Sequence, residues 1–180
     1  DLLVVGIGAQ ANSELAQECG LQVANGIVVD EQMLTSDPHI SAIGDCTQHP
    51  NVHAQGSMIR LESIQNAADQ ARCVAARLIG QPVDYTSLPW FWSDQGSLKL
   101  QIAGLIDGSE QRVVRGDDQG TAYSVFCFRH EQLVAVESVN RPLDHIAARR
   151  LLGNGIAITP EQAADTSIDL RTLTAAESVA

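Results

Sequence analysis

LTSDPHISAIGDCTQHPNVHAQGSMIRLESIQNAADQARCVAA, residues 34–76, is the stretch whose reading decides the fold. Within it, HISAI at 39–43 reads as a short strand, with Ile40, Ala42 and Gly44 alternating with Ser41 and Ile43 between Asp37-Pro38 and Gly44-Asp45. A polar loop follows, and then a helix of roughly five turns opening at Glu62-Ser63. An acidic residue just past the carboxyl end of a strand, behind a glycine, can accept hydrogen bonds from ligand hydroxyls. The helix start turns its free N–H groups and positive dipole end toward the same crevice. That pairing suits a ligand with both hydroxyls and developing negative charge, although a Gly-Asp step after a strand also serves as a plain cap or turn. Along the helix, Ile64, Ala67, Ala71, Val74, Ala75 and Leu78 recur at steps of three and four, which predicts a buried, alanine-rich face.

The polar loop contains Cys46, His49 and His53, donors of the right type for zinc. A structural site needs a fourth ligand and usually paired cysteines, and Pro50 breaks the spacing. The segment therefore reads as a solvated loop with no metal.

Upstream, DLLVVGIG at 1–8 is an apolar strand, residues 2–5, running into Gly6-Ile7-Gly8. Two glycines there allow backbone to approach a ligand closely, or simply make a tight strand-to-helix turn. Asn12 can cap a short helix over 13–19 that Gly20 ends, and Asn25-Gly26 between two apolar runs is a hairpin signal. The chain opens on Asp1 rather than Met, and no segment precedes its first strand as a partner. No GxGxxG fingerprint is present, so the expectation is a C-terminal fragment of a longer protein.

Downstream, strands are expected over 98–103, 112–114, 123–128 and 133–139, broken by glycines. Asn140-Arg141-Pro142 introduces a helix over 143–152, and Thr159-Pro160-Glu161 opens one more helical turn before a frayed tail at 175–180. Strands followed by helices on one side make an antiparallel α+β unit. Trp90 and Trp92 stand at its entrance, and an aromatic pair is more often core than ligand-facing.

Composition closes off other classes. The net charge of −11 disfavours nucleic acid and anionic membranes as partners. No apolar run reaches the length of a membrane span. Cys19, Cys46, Cys73 and Cys127 show no paired spacing and read as reduced thiols of a cytoplasmic protein.

TSDPHISAIGDC at 35–46 resembles the second flavin-binding motif of pyridine-nucleotide-dependent flavoprotein reductases. RLESIQNA at 60–67 and PWFWSDQ at 89–95 narrow the resemblance to the oxygenase-coupled NADH:ferredoxin reductases, the putidaredoxin reductase and dioxygenase-component family, over nearly the whole chain to about Leu173. The resemblance implies an α/β nucleotide-binding remnant followed by an α+β domain: residues 1–32 the end of an NAD(P)-binding domain, 33–82 the C-terminal segment of an FAD-binding domain, and 83–180 a reductase C-terminal domain. It implies FAD at Gly44, Asp45, Ile64 and Trp92, with Asp45 on a ribityl hydroxyl, the Ile64 N–H at the flavin pyrimidine edge and Trp92 against the ring. Trp90 is left to the core. NAD is implied near Gly6, Ile7, Gly8 and Glu62, although Glu62 also reads as an ordinary acidic residue of a first helical turn, and Ala11 stands where the family usually has proline.

The implied activity is electron transfer from NADH through FAD to a ferredoxin-type iron–sulfur protein, with the cofactor performing the redox chemistry and no side chain assigned as catalytic. Arg72 falls where the resemblance places a basic residue of the ferredoxin-docking face, with Arg77 as second candidate; a solvated arginine paired with Asp69 is the plain alternative. Other readings are a cofactor-free assembly or dimerisation module, or a reductase serving rubredoxin or nitrite. Because the phosphate-cradling half of the flavin site is not in this sequence, the chain alone is expected to bind no FAD, oxidise no NADH and self-associate through residues 1–80.

Overall fold

The structure is a computed structural model and describes residues 2–175. The expected tail at 175–180 lies, from 176 onward, outside the described residues, as does Asp1.

A first helix, α1 (Glu14–Glu18), starts at Ser13 rather than Asn12 and is followed by Gly20 with φ 77°. The Asn25-Gly26 hairpin forms as expected, joining β1 (Val23–Ala24) to β2 (Gly26–Val28). β2 pairs in parallel with β3 (Thr47–Pro50), which pairs antiparallel with β4 (Met58–Ile59), giving a small four-stranded sheet. α2 (Ile64–Leu78) packs beside it, capped by Ser63, whose Oγ accepts from the Asn66 N–H, and followed by Gly80 at φ 77°.

Four expectations for this part are corrected. Residues 2–5 form no strand; their side chains are exposed, because a strand needs a neighbour's ladder and none of the described chain lies beside them. Residues 39–43 are not a strand either. They make one isolated bridge, Leu34 with Ser41, and Ile40 and Ile43 stay 39% exposed. The solvated loop is instead β3, with Thr47 and His49 fully buried. Its polar residues carry no hydropathic alternation, so only their hydrogen-bond partners reveal them as interior.

Finally, α2 buries the other face. Gln65, Asn66, Gln70 and Cys73 are buried, whereas Ile64 and Leu78 are more than 70% exposed. Of the expected apolar stripe, Val74 packs against the cluster of Val29, Met33 and Tyr85 and Ala67 lies beside Gly44, while its ends, Ile64 and Leu78, stay exposed and the polar stripe finds hydrogen bonds.

The second sheet has the order β5-β6-β9-β8-β7, antiparallel throughout. Its strands are β5 (Trp90–Gln95), β6 (Leu98–Gly104), β7 (Gln111–Asp117), β8 (Ala122–Arg129) and β9 (Gln132–Val139). The expected strands are present and β5, read only as an aromatic run, is added at one edge. Gly104, at φ 81°, lies so close to β9 that a Cβ would sit 2.1 Å from the Val134 carbonyl oxygen.

Helices α3 (Pro142–Gly153), α4 (Pro160–Ala164) and α5 (Leu170–Ala175) cover one face. Thr159 and Gln162 form a reciprocal capping box on α4, the pairing expected of a Thr-Pro helix start. Phe126, Phe128 and Val136 meet Ala147, Ala148 and Leu151 of α3 in a core with no exposed member. Truncating such a phenylalanine costs about 3–5 kcal/mol. On the same face, one register step along, the row Trp92, Gln101, Ser138, Ser124, Arg115 is polar apart from its edge tryptophan. Asp144 of α3 serves that row, accepting from Ser124 Oγ and Arg141 Nε at 3.0 Å each.

Candidate functional site

The Gly44–Asp45 turn and the start of α2 face one another. Gly44 adopts φ 82°, and a Cβ there would lie 3.6 Å from the Ala67 Cβ on the first turns of α2. A glycine is therefore suited to this place both by its conformation and by the close approach. The Ile64 N–H, the first of the helix, donates to no backbone carbonyl among the described residues. It remains available to an external acceptor, as helix N-terminal groups are.

Arg60 ties the parts together. Its Nη1 donates to the Asp45 carbonyl oxygen at 3.3 Å and to the Glu62 carboxylate, and its Nη2 to the Ala9 carbonyl oxygen at 2.9 Å. One side chain, 12% exposed, thus links the Asp45 turn, Glu62 and the segment just after Gly6-Ile7-Gly8. The sequence reading passed over Arg60. Its only signal was its position two residues before Glu62 in the RLES run. Gly6, Ile7 and Gly8 themselves lie in an exposed segment outside any helix or strand.

Trp92 is 43% exposed and projects from the edge strand β5 on the same face as Trp90. The rings stack with centroids 5.6 Å apart and planes tilted by 30°. Trp90 is partly buried against the core, beneath the Arg149 guanidinium. Trp92, Ile64, Asp69, Arg72 and Arg149 line one concavity of about 280 Å³. A planar, partly apolar ligand edge fits such a wall, where an aromatic face stands beside unpaired backbone donors. Arg72 is exposed and pairs with Asp69; the Arg77 guanidinium bonds Ser41 Oγ instead. The two arginines are not brought together.

Behind the crevice lies a buried polar cluster. Tyr85 OH donates to Asn66 Oδ1 at 2.9 Å, and burial, with the Asp69 charge, pushes its phenol up to about 12, so it remains a donor. His49 packs edge-on to Tyr85, and burial pushes its imidazole down to about 4. No group of three or more His, Cys, Asp or Glu side chains among the described residues could hold a metal ion.

The donor set fits a flavin dinucleotide: an acidic residue on a glycine turn for hydroxyls, a free helix N–H for a carbonyl, and an aromatic ring for a planar face. The fold joins a small four-stranded sheet and its helix to an antiparallel five-stranded α+β unit. Residues 1–71 match the model of the pyridine nucleotide-disulphide oxidoreductases, and residues 90–174 that of the reductase C-terminal family. Rhodocoxin reductase of Rhodococcus erythropolis is 54% identical over 171 residues, 95% of this chain and 40% of that protein. The crystal structure of the ferredoxin reductase for the CYP199A2 system from Rhodopseudomonas palustris superposes with a TM-score of 0.91 at 53% identity, over 97% of this chain and 43% of that one. That of the covalent putidaredoxin reductase–putidaredoxin complex gives 0.91 at 38% identity, over 100% and 43%. The chain is thus similar to ferredoxin reductases over 95% or more of its length, with its two family matches falling on residues 1–71 and 90–174. It spans about 40% of the length of the curated relatives it matches.

Proposed function

We propose that this chain is the C-terminal part of an NADH-dependent, FAD-containing reductase that delivers electrons to a small ferredoxin-type iron–sulfur protein serving an oxygenase. The observation that carries the reading is the Arg60 clamp, which holds the Asp45 turn, Glu62 and the post-glycine segment at the free N-terminus of α2. Bound there, FAD would take a hydride from NADH and release its two electrons singly, so that each NADH reduces two acceptor molecules and leaves one proton.

The chain's own residues bind and orient. Gly44 and Asp45 hold a ribityl hydroxyl, the Ile64 N–H meets the pyrimidine edge, and Trp92 shields one side of the ring. The dipole of α2 favours negative charge developing at that edge. Gly6, Ile7, Gly8 and Glu62 serve the nicotinamide side. Residues 1–32 are the end of the NAD(P)-binding domain, 33–82 the end of the FAD-binding domain and 83–180 the reductase C-terminal domain. A cytoplasmic setting fits the exposed free thiol of Cys19.

An acidic ferredoxin approaching a chain of net charge −11 needs local positive charge. Arg72, with a side chain 76% exposed beside Trp92, supplies it; Arg77, held by Ser41, is the second candidate. In the full-length reductase, R72E slows NADH-driven ferredoxin reduction steeply at low salt while reduction of a small neutral dye is unchanged. A parallel loss of both activities refutes the docking role, and a full-length protein purified without flavin absorbance refutes the reading as a whole.

The exposed apolar residues 2–5 and the Ile64–Leu78 stripe favour a second reading for the isolated chain: a folded assembly module that binds no cofactor by itself.

A further inference from the structure

Gln70 lies at the end of the second turn of α2 and is fully buried. Its Oε1 accepts the Gly44 N–H at 2.6 Å and lies 3.2 Å from Thr47 Oγ1. Its Nε2 donates to Asn66 Oδ1 and meets His49 Nδ1, both at 3.2 Å. The amide orientation is therefore determined, since a flipped side chain would set its NH2 against the Gly44 N–H. With Nε2 donating, His49 Nδ1 must accept, which places the imidazole proton on Nε2. The network continues toward the helix start, where Asn66 Nδ2 donates to the Leu61 carbonyl oxygen at 3.1 Å and the Asn66 N–H to Ser63 Oγ at 3.1 Å.

One amide side chain thus joins the backbone of the turn carrying Asp45 to the buried face of α2, alongside the Arg60 link to the helix start. The turn is not part of a strand: short loop bonds, Thr35 N–H to the Ile40 carbonyl and Ala42 N–H to the Met33 carbonyl, hold the residues before it, and the Thr47 N–H bonds the Gly44 carbonyl after it. Gln70 is the side-chain link from the Gly44 backbone to the helix. In a buried setting, each of its bonds replaces one that water would otherwise make, so removing the amide leaves the Gly44 N–H without a partner.

We propose that Gln70 is a positioning residue for the flavin: it sets the distance between the Asp45 carboxylate and the free N–H groups of Ile64 and its neighbour. Through that distance it sets both cofactor affinity and the preference of the site for reduced over oxidised flavin. The inference rests on the flavin-site reading above. Arg60 fixes the carbonyl side of Asp45 and Gln70 fixes the amide side of Gly44, so the turn is gripped from both edges.

The test uses the full-length reductase with Q70L, Q70E and T47V, and V136A in the other sheet as a control for lost stability. In Q70L, FAD dissociation rises about tenfold and the two-electron midpoint potential moves negative by about 30 mV, the equivalent of a tenfold loss in relative stabilisation of the reduced form. Q70E keeps an oxygen toward Gly44 and recovers part of the affinity. T47V, which removes the hydroxyl bond to the Gly44 carbonyl oxygen but leaves the Gln70 amide on the Gly44 N–H, changes the potential less than Q70L. V136A lowers Tm without moving the potential. If Q70L fails to fold, Q70E and T47V still carry the measurement.

The positioning role is overturned if the wild type binds FAD and the variants keep its affinity and potential, or if V136A shifts the potential as much as they do. A wild-type protein that binds no FAD sinks the flavin-site reading instead, so the two failures are distinct.

Discussion

The guanidinium carbon of Arg149 lies 4.1 Å from the centre of the Trp90 ring, clamping helix α3 over the edge strand β5. Trp92 and His145 also adjoin the Trp90 ring, at 5.6 Å and 5.9 Å between ring centroids. A cation over an indole contributes about 0.5–1 kcal/mol at a partly exposed site. A double-mutant cycle of R149M and W90F should return a coupling of that size in urea unfolding, and R149M should change tryptophan emission. A coupling near zero would mean that the two groups merely adjoin.

Asp144 should be the least replaceable acid of the second sheet. It is 7% exposed and faces Arg115 Nε at 3.6 Å, an ionic contact too long for a hydrogen bond. Arg115, 3% exposed, also donates to the Asp165 and Ile168 carbonyl oxygens at 2.5 and 2.7 Å, pinning the chain between α4 and α5. D144A strands a buried cation and is expected to cost about 3–5 kcal/mol, whereas D144A combined with R115M costs less than the two changes summed. Additive losses in chemical denaturation would show that the pair is not coupled.

Two histidines make the fold acid-sensitive. Burial pushes His49 down to about 4 from 6.5, and burial together with the Arg149 charge does the same to His145. Between those values the unfolded chain binds protons that the folded chain refuses. Stability is therefore complete above pH about 6.5 and is lost as pH falls toward 4, by about 3 kcal/mol for each ring. H145F should remove roughly half of that loss, read from denaturant midpoints between pH 7 and 4.5. An unchanged slope would show that His145 does not titrate in this window.

The isolated 180-residue chain should self-associate. Ile64 and Leu78 stand 72% and 73% exposed on one side of α2, and Leu2, Leu3 and Val4 are more exposed still. I64E together with L78E should shift light scattering at high concentration toward monomer without lowering the stability of the second sheet. A clean monomer in the unaltered chain would argue against the stripe as a contact surface. The same preparation is expected to be colourless, and stoichiometric flavin co-purifying with it would overturn that expectation.

Much of the second half was legible because its signals are local. Short apolar runs bounded by turn residues mark β6, β8 and β9, Pro142 starts α3, and Thr159-Pro160 starts α4. β5 was missed as a strand because WFWSDQ carries no hydropathic alternation. Its pairing with β6 decides that Trp90 and Trp92 share a face. In the first half, the existence of α2 was readable from Glu62-Ser63 and the three- and four-residue steps of its apolar residues, and so was the Asn25-Gly26 hairpin.

The amino-acid order by itself thus determined where helices and hairpins begin, and which motifs carry the family. Tertiary structure alone decided which side of α2 is inside. Hydropathy ranks Ile64 and Leu78 as interior and Gln70 as surface, but burial follows the partners available. Gln70 finds them at Gly44, Thr47 and His49, more than twenty residues away. Arg60 likewise reaches Ala9 across 51 positions. A hydrogen bond that compensates a buried polar group is a property of two distant segments meeting, and no periodicity within either segment records it.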